Sequence, residues 1–514
     1  MISDFVPFRV LEIELEHPLP TISTFDEESG RHYRRALCVV RYHSCPLGIV
    51  AFSLDKGEIS PQACAQQIWQ TFQLSLADSR GLSHVLLRQG CLPQGLALAM
   101  RKRNQDPINS HRLLDALSPV TELSSTGLPA QEQPACKRER ERFAANAPFV
   151  SVIVPTHDRP QCLATCLRSL LALQYPQYEI LVVDNAPKSS ATAQVVQRFS
   201  EGESRVRYIR EDRPGVVSAR NRGIEEARGK ILAFTDDDVV VDPYWLIELV
   251  RAFSLTKNVA CVTGLILPLQ IETQEQFWFE EYAGFCRGFR GLVVNVVEKY
   301  PKMAFYPYKT VHIPRKTFHP HMVSSFGTGA SMAFTAAFLH SIGGFNPVLS
   351  ANRPIGGEDI YAFYQGLSYG YTLVYEPASL AYHLHRSDYA SLERQIYYYS
   401  VSFPALLLQE AFDSPPRFFG LPTKVSRAIF ILCILFSIIP RMLFLLLKTS
   451  FSKKKTLWGR DPRYYPQGLT STELKGMLHG AFLYLINRWE IGKEGVPVLG
   501  IKDASETQGD QGLA

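Results

Sequence analysis

The 514-residue chain carries ten cysteines but no Cys-x-x-Cys pair, which counts against a zinc ribbon or a disulfide framework. Several of them (Cys64, Cys166, Cys433) sit inside apolar helical patterns, as reduced core thiols do. No Gly-x-Gly-x-x-Gly loop follows the first strand of the central region, so the backbone cradle for a dinucleotide pyrophosphate is missing. Residues 1–30 combine neither a basic start nor an apolar core, and no signal peptide is expected. Excess charge is also scarce. A formal net charge of +5 points to no nucleic-acid partner. What is present is the composition of a folded protein, 46% hydrophobic and 20% charged, long enough for two or three cores.

Composition divides the chain into four parts. Residues 1–100 read as a small α+β unit. In it, "RALCVVRYHSCPLGIVAFSL" supplies two β-rich runs around a Cys-Pro-Leu-Gly turn, and Cys64, Ile68, Phe72 and Leu76 mark one buried helical stripe. No catalytic constellation is visible there, so a docking or regulatory module, with a possible protein partner, is expected. Residues 101–147 are rich in Pro, Ser, Thr and Gln and end in a mixed charge run, the composition of a linker closing in a short solvated helix. Residues 148–400 alternate unbroken apolar runs ("FVSVIVP", "YEILVVD", "VRYIR", "KILAFTD") with amphipathic helical patterns. Such alternation predicts an α/β domain with a mostly parallel sheet covered on both faces.

Residues 401–514 are apolar and basic. "VSRAIFILCILFSIIPRMLFLLLK" (Val425–Lys448) is long enough to span a bilayer, although Pro440 and Arg441 interrupt it. A spanning helix, an interfacial hairpin and a core helix all remain open on hydropathy. The expectation is a place on the cytoplasmic side of the cell membrane, peripheral or through one hydrophobic segment around 425–448, with basic residues facing an anionic leaflet.

In parallel sheets of this kind ligands bind beyond the carboxyl ends of the strands. "PTHDR", "DNA" and "TDDD" all fall there. Thr156 and Asp184 have the hydrogen-bonding groups to hold a base or ribose. Asp236, Asp237 and Asp238 follow a buried strand, where three adjacent carboxylates repel one another. They form either a solvated turn or a cation site. If the segment is extended, Asp236 and Asp238 share one side and Asp237 faces away. Oxygen ligands suit Mg²⁺ or Mn²⁺, bound through one or two carboxylates plus substrate phosphates.

"VSVIVPTHDRPQCLATCLRSLLALQYPQYEILVVDNA", "RPGVVSARNRGIEEARGKILAFTDDD", "GTGASMAFTAAFLHSIGGFNPVLS" and "GGEDIYAFYQGLSYGYTLVYEP" together resemble the family 2 glycosyltransferases of the GT-A fold, over about residues 149–386. The resemblance implies a GT-A-type mixed sheet flanked by helices, a nucleoside-diphosphate sugar donor (UDP-linked above all) and a glycan or lipid-linked acceptor. It also implies roles at matching positions. Pro155 and Thr156 stand at the nucleotide-contacting end of the first strand, and Asp184 corresponds to the acid that binds the base. Asp236 and Asp238 correspond to the outer members of the Asp-x-Asp motif, at ribose and metal, with Asp237 between them. Glu358 and Asp359 match the Glu-Asp pair in which the aspartate is the usual catalytic base. Arg220 and Asn221 fall beside the donor pocket, and Gly329, in "GTGA", borders the sugar. Some related enzymes complete the metal shell with a histidine after the Glu-Asp helix, which favours His383.

The residues support this on their own chemistry. One displacement at a sugar carbon needs a cation for the leaving diphosphate and a base for the incoming hydroxyl. Bland readings stand beside each role. Adjacent acids opening a helix also serve as caps, arginines on an amphipathic helix also form a solvated face, and His383 and His385 also fit a packing pair. A zinc hydrolase would need a third close ligand that the sequence does not supply. The competing functions are a nucleotidyltransferase, which would want a glycine-containing phosphate loop where "PTHDRPQ" stands, and a non-catalytic membrane-associated scaffold.

Overall fold

The computed structural model describes residues 5–27, 29–78, 135–298, 308–315, 318–350, 353–413 and 466–493. The N-terminal unit contains β1 (Phe8–Glu14), a two-stranded ribbon of β2 (Phe25–Asp26) and β3 (Arg31–His32), then β4 (Arg35–Tyr42), β5 (Cys45–Ser53) and α1 (Pro61–Asp78). β4 and β5 are the two anticipated β runs, but the Cys-Pro-Leu-Gly segment does not reverse the chain. His43 and Ser44 do, at φ of 50° and 63°, the left-handed pair that a tight hairpin demands. Cys45 to Gly48 simply continue the strand. β1 joins β4 in parallel to complete a three-stranded sheet.

That sheet is apolar on both faces. Ala36, Cys38 and Val40 pack with Cys64 and Ile68 of α1. Leu37 meets Ile271, and Val39 meets Leu265, Leu267 and Tyr382. The Phe8 N–H donates to the Ile271 carbonyl at 2.9 Å, and buried Arg41 pairs with buried Asp242 at 2.7 Å. The second sheet face therefore rests on the chain's own larger domain. Within the segment expected as linker, α2 (Ala135–Ala144) is attached too, because its Arg140 is buried and donates to Glu248 at 2.6 Å.

The larger domain starts as the sequence pattern anticipates: β6 (Val150–Thr156), α3 (Pro160–Leu171), β7 (Tyr178–Asn185), α4 (Ala191–Ser200), β8 (Val206–Glu211), α5 (Val216–Glu226) and β9 (Ile231–Thr235). β6, β7 and β9 are buried along their whole length. These four strands are parallel in the order β8-β7-β6-β9. The chain leaves β6 toward one side and places β9 on the other, which opens a crevice beyond their carboxyl ends.

After this come β10 (Val239–Val241), α6 (Trp245–Arg251), β11 (Val259–Pro268), α7 (Gln274–Ala283), β12 (Leu292–Val297), β13 (Lys309–Pro314), α8 (Pro320–Val323), β14 (Ser331–Thr335), α9 (Ala336–Ile342), α10 (Glu358–Ser368) and β15 (Thr372–His383). β14 inserts antiparallel between β9 and β11, and β15 runs parallel to β11 while also pairing with β10. A ten-stranded mixed sheet results.

Two long helices, α11 (Tyr389–Asp413) and α12 (Gln467–Lys493), close the described chain. α11 runs through position 400. The two helices touch closely at Gly480, where an added Cβ would lie 2.2 Å from the Val401 carbonyl oxygen. The Tyr484 hydroxyl donates to Gln409 at 2.9 Å, and Asn487 donates to the carbonyls of Val348 and Arg353. Residues 425–448 lie outside the described residues. Among the described residues no helix is long and apolar enough to cross a membrane. α12 is interrupted by Glu473, Lys475, Arg488 and Glu490, and one of its faces is occupied by α11 and the domain. The expected membrane-embedded localisation is corrected accordingly.

Candidate active site at the carboxyl edge of the sheet

Three strand ends frame the crevice. Thr156 ends β6 in register with Asp184 of β7, and Thr235 ends β9 immediately before the three aspartates. Asp236–Asp238 are not extended. They turn the chain from β9 into β10, with the Val239 N–H donating to the Asp236 carbonyl at 3.2 Å. The alternation expected of a strand does not apply to a turn, and the three side chains diverge.

Asp236 is half-buried and faces Arg220, whose Nη2 lies 3.4 Å from its Oδ1. Asp237 is buried. It accepts from the Thr156 hydroxyl at 2.7 Å and from Arg159 Nη1 at 2.6 Å. Asp238, also buried, accepts from Arg159 Nη2 at 2.9 Å, with Arg386 3.4 Å from the same oxygen. Its other oxygen is 3.4 Å from His383 Nε2. Burial pushes the Asp237 carboxyl up to about 7, against the pull of Arg159. Asp237 thus braces the turn. The Thr156 hydroxyl, expected at the nucleotide, is spent on it. Pro155 is a buried strand residue with no donor.

The second acid pair opens α10. Gly356 and Gly357, at φ of 83° and 86°, bring the chain in through left-handed backbone, and an added Cβ at Gly357 would lie 3.2 Å from Leu406. Glu358 is buried. Its Oε1 accepts from Arg220 Nη1 at 2.6 Å, and its Oε2 has no hydrogen-bond partner. Burial raises its carboxyl to about 7, although Arg220 opposes this. Asp359 is half-buried and accepts from the Gly329 N–H at 2.6 Å. A Cβ at Gly329 would sit 2.7 Å from Arg220 Nη2 and 3.1 Å from Asp359 Oδ2, so glycine lets this backbone approach both groups closely. Arg220, Asp236, Gly329, Glu358 and Asp359 therefore converge.

Asp184 is fully buried at the end of β7. Its Oδ2 accepts from the Tyr208 hydroxyl at 2.8 Å, while its Oδ1 has no hydrogen-bond partner. Burial raises this carboxyl too. An unpaired buried acceptor costs roughly 1–3 kcal/mol, so this one is suited to a ligand N–H or O–H. Asn221 differs from expectation. Its amide donates to and accepts from the Phe345 backbone, both at 2.8 Å, so it is a brace and its polar atoms are occupied.

The expected metal trio of Asp236, Asp238 and His383 is not assembled. Among the described residues no group of three or more His, Cys, Asp or Glu is gathered to hold an ion, because Asp236 turns away to Arg220. Asp238 and His383 do form a pair. Burial drives the His383 ring down to about 3, so it is neutral, the form that ligates metal. One carboxylate and one imidazole, with phosphate oxygens supplying further ligands, fit Mg²⁺ or Mn²⁺.

Sequence reasoning left Arg159, Tyr208 and Arg386 without roles. Arg159 follows the first strand directly and Arg386 follows "YHLH", so adjacency to motif residues was their one signal. Tyr208 carried none.

The chain matches the family model "Glycosyl transferase family 2" over residues 151–305. It is 38% identical to glycosyltransferase AglE of Haloferax volcanii over 107 residues, 20% of this chain and 35% of that protein. It is 36% identical to O-antigen biosynthesis protein RfbC of Myxococcus xanthus over 121 residues, 23% of this chain and 9% of that one. The matches therefore span about a third or less of these relatives' lengths. Among solved structures, the mannosyltransferase PcManGT from Pyrobaculum calidifontis, in complex with GDP-Man and Mn²⁺, aligns at 17% identity and a TM-score of 0.41. That alignment covers 69% of this chain and 93% of the other, a likeness too distant to carry an argument about chemistry.

Proposed function

We propose that the chain transfers a sugar from a nucleoside-diphosphate sugar, a UDP-sugar first, to a hydroxyl of a glycan acceptor, with inversion and dependence on a divalent metal. The observation that carries this reading is the division of the acids: Asp238 beside neutral His383 on one side of the turn, Asp359 beside Gly329 on the other. Asp184, with its unpaired buried oxygen, would receive the base. A divalent ion at Asp238 and His383 supplies Lewis-acid neutralisation of the leaving diphosphate. Asp359, half-buried and held by the backbone N–H groups of Gly329 and Ile360, accepts the proton of the incoming hydroxyl. Glu358 is committed to Arg220 and keeps that guanidinium between the two acid pairs.

Residues 148–400 form the transferase domain in this reading, and the exposed Tyr389 and Tyr399 of α11 offer flat surfaces to an acceptor sugar. The name of the Myxococcus relative agrees with a polysaccharide acceptor. The test is nucleotide release from a panel of UDP-, GDP- and dTDP-sugars with and without Mn²⁺, followed by anomer assignment of the product by proton coupling. Release independent of metal, or a product of retained configuration, would overturn the mechanism.

A further inference from the structure

The turn between α7 and β12 carries two arginines that the reading above does not use. Arg287 is half-buried. Its Nε donates to the Ser324 carbonyl at 3.0 Å and its Nη1 to the Gly284 carbonyl at 2.7 Å. Among the described residues it forms no ion pair. The carboxylate that acts on it, Glu280, is committed to His385 at 2.6 Å. Burial without a paired anion pulls this guanidinium below its ordinary value. Arg290, three residues on, has a buried Nε with no hydrogen-bond partner. An arginine held by two carbonyls can serve as a brace and nothing more. A brace, however, needs only neutral donors, and taking a cation out of water is repaid when an anion meets it.

Both walls of the crevice set the place of this charge. Phe285, two residues before Arg287, meets the His383 ring edge-on at 4.9 Å. Ser324, which receives the Arg287 Nε–H, opens the turn Ser324–Phe326 that leads to Gly329 and so to Asp359. The Tyr399 hydroxyl lies within electrostatic reach of Arg287 and of Asp236, Asp238 and Asp359. From behind, the Tyr375 hydroxyl donates to the Gly288 carbonyl at 2.6 Å, and Gly288 takes the left-handed φ of 94° that lets the chain turn there. Arg287 therefore stands at the crevice and not on a remote surface.

We propose that Arg287 receives an anionic group of the substrate, a carboxylate or a phosphate, and so selects for charge in what the enzyme takes. The proposal rests on the transferase reading above. A guanidinium has five N–H bonds. The two carbonyls take one from Nε and one from Nη1, which leaves one on Nη1 and two on Nη2. That edge matches a pair of anionic oxygens. Two sources carry such a group. On the acceptor it is an acidic or phosphorylated sugar lying on Tyr399, and on the donor it is the diphosphate.

The experiment titrates the full chain with three probes that share one ring: methyl glucoside, its 6-phosphate and methyl glucuronide. A separate titration uses UDP with Mn²⁺. If the acceptor supplies the anion, the native chain binds a charged glycoside about 10-fold more tightly than the neutral one. Arg287→Gln then erases that preference and binds the neutral glycoside as before. If the diphosphate supplies it, Arg287→Gln instead weakens UDP binding by about 10-fold, and the three glycosides do not differ. Arg287→Lys keeps the charge without the planar fork and should recover part of the effect in either arm. A simple brace would lose charged and neutral probes alike. Equal losses for all probes, or no loss for any, would overturn the anion site alone. A native chain that neither binds UDP nor releases nucleotide from a sugar donor would overturn the transferase reading and this inference together.

Discussion

The two sides of the Asp236–Asp238 turn solve the same electrostatic problem differently. On the α10 side one buried arginine, Arg220, lies between Asp236 and Glu358, and Asp359 beyond it accepts from two backbone N–H groups, those of Gly329 and Ile360. On the β15 side Arg159 bridges Asp237 and Asp238, while the far oxygen of Asp238 meets a neutral imidazole rather than a cation. The first arrangement sets one guanidinium against three carboxylates, Asp236, Glu358 and Asp359. The second sets two guanidiniums, Arg159 and Arg386, on Asp237 and Asp238 and leaves one oxygen of Asp238 facing an imidazole. Burial alone would have made the two alike. Their neighbours separate them.

The largest effect is expected at Asp359. Asp359→Asn retains an acceptor for the Gly329 N–H but removes the basic oxygen, and kcat should fall by about 10²–10⁴-fold with donor affinity preserved. Steady-state kinetics with nucleotide titration checks this, and a KM-only change would remove Asp359 from the base role. Arg220→Leu breaks the same side structurally. It strands the buried Glu358 and should destabilise the fold by about 3–5 kcal/mol above neutral pH, read by chemical denaturation.

On the opposite side, Asp238→Asn should lower Mn²⁺ affinity at least on the order of 10-fold, which metal titration checks. The smallest effect concerns pH. Burial holds the folded Glu358 carboxyl at about 7, above an exposed glutamate. Its protonated form therefore stabilises the fold fully at low pH, and that contribution is lost as pH rises through about 7. Glu358→Gln should flatten the thermal midpoint between pH 5 and 8 relative to the native chain. An unchanged slope would assign the dependence elsewhere.

Much of this was legible in the sequence because apolar runs and helical stripes report burial directly. β6, β7, β8 and β9 and the helices between them follow the pattern, and the acid positions mark the strand ends. The side-chain partners were not legible. Asn221 and Asp237 look like ligand groups in one dimension, yet Phe345 lies 124 residues from Asn221 and Thr156 lies 81 residues from Asp237, and no local pattern encodes such pairings. The sequence left the Asp236–Asp238 segment open between a turn and an extended run, because the apolar runs before and after it are both genuine strands.

The fastening of the N-terminal sheet has a consequence for how the chain is made. Arg41 pairs with Asp242 as well as with its own unit's Glu12 and Glu14, and Phe8 bonds to Ile271, so during synthesis the N-terminal sheet waits for roughly 200 further residues. At about 5–20 residues per second that delay is roughly 10–40 s. Throughout it, Arg41 can pair with Glu12 and Glu14 of its own unit but not with Asp242, and the sheet face carrying Leu37 and Val39 has nothing to cover it. The N-terminal unit therefore cannot finish as an independent folding domain. Its final docking is a late, long-range event, and the interval before it is when the nascent chain is most open to aggregation or chaperone capture.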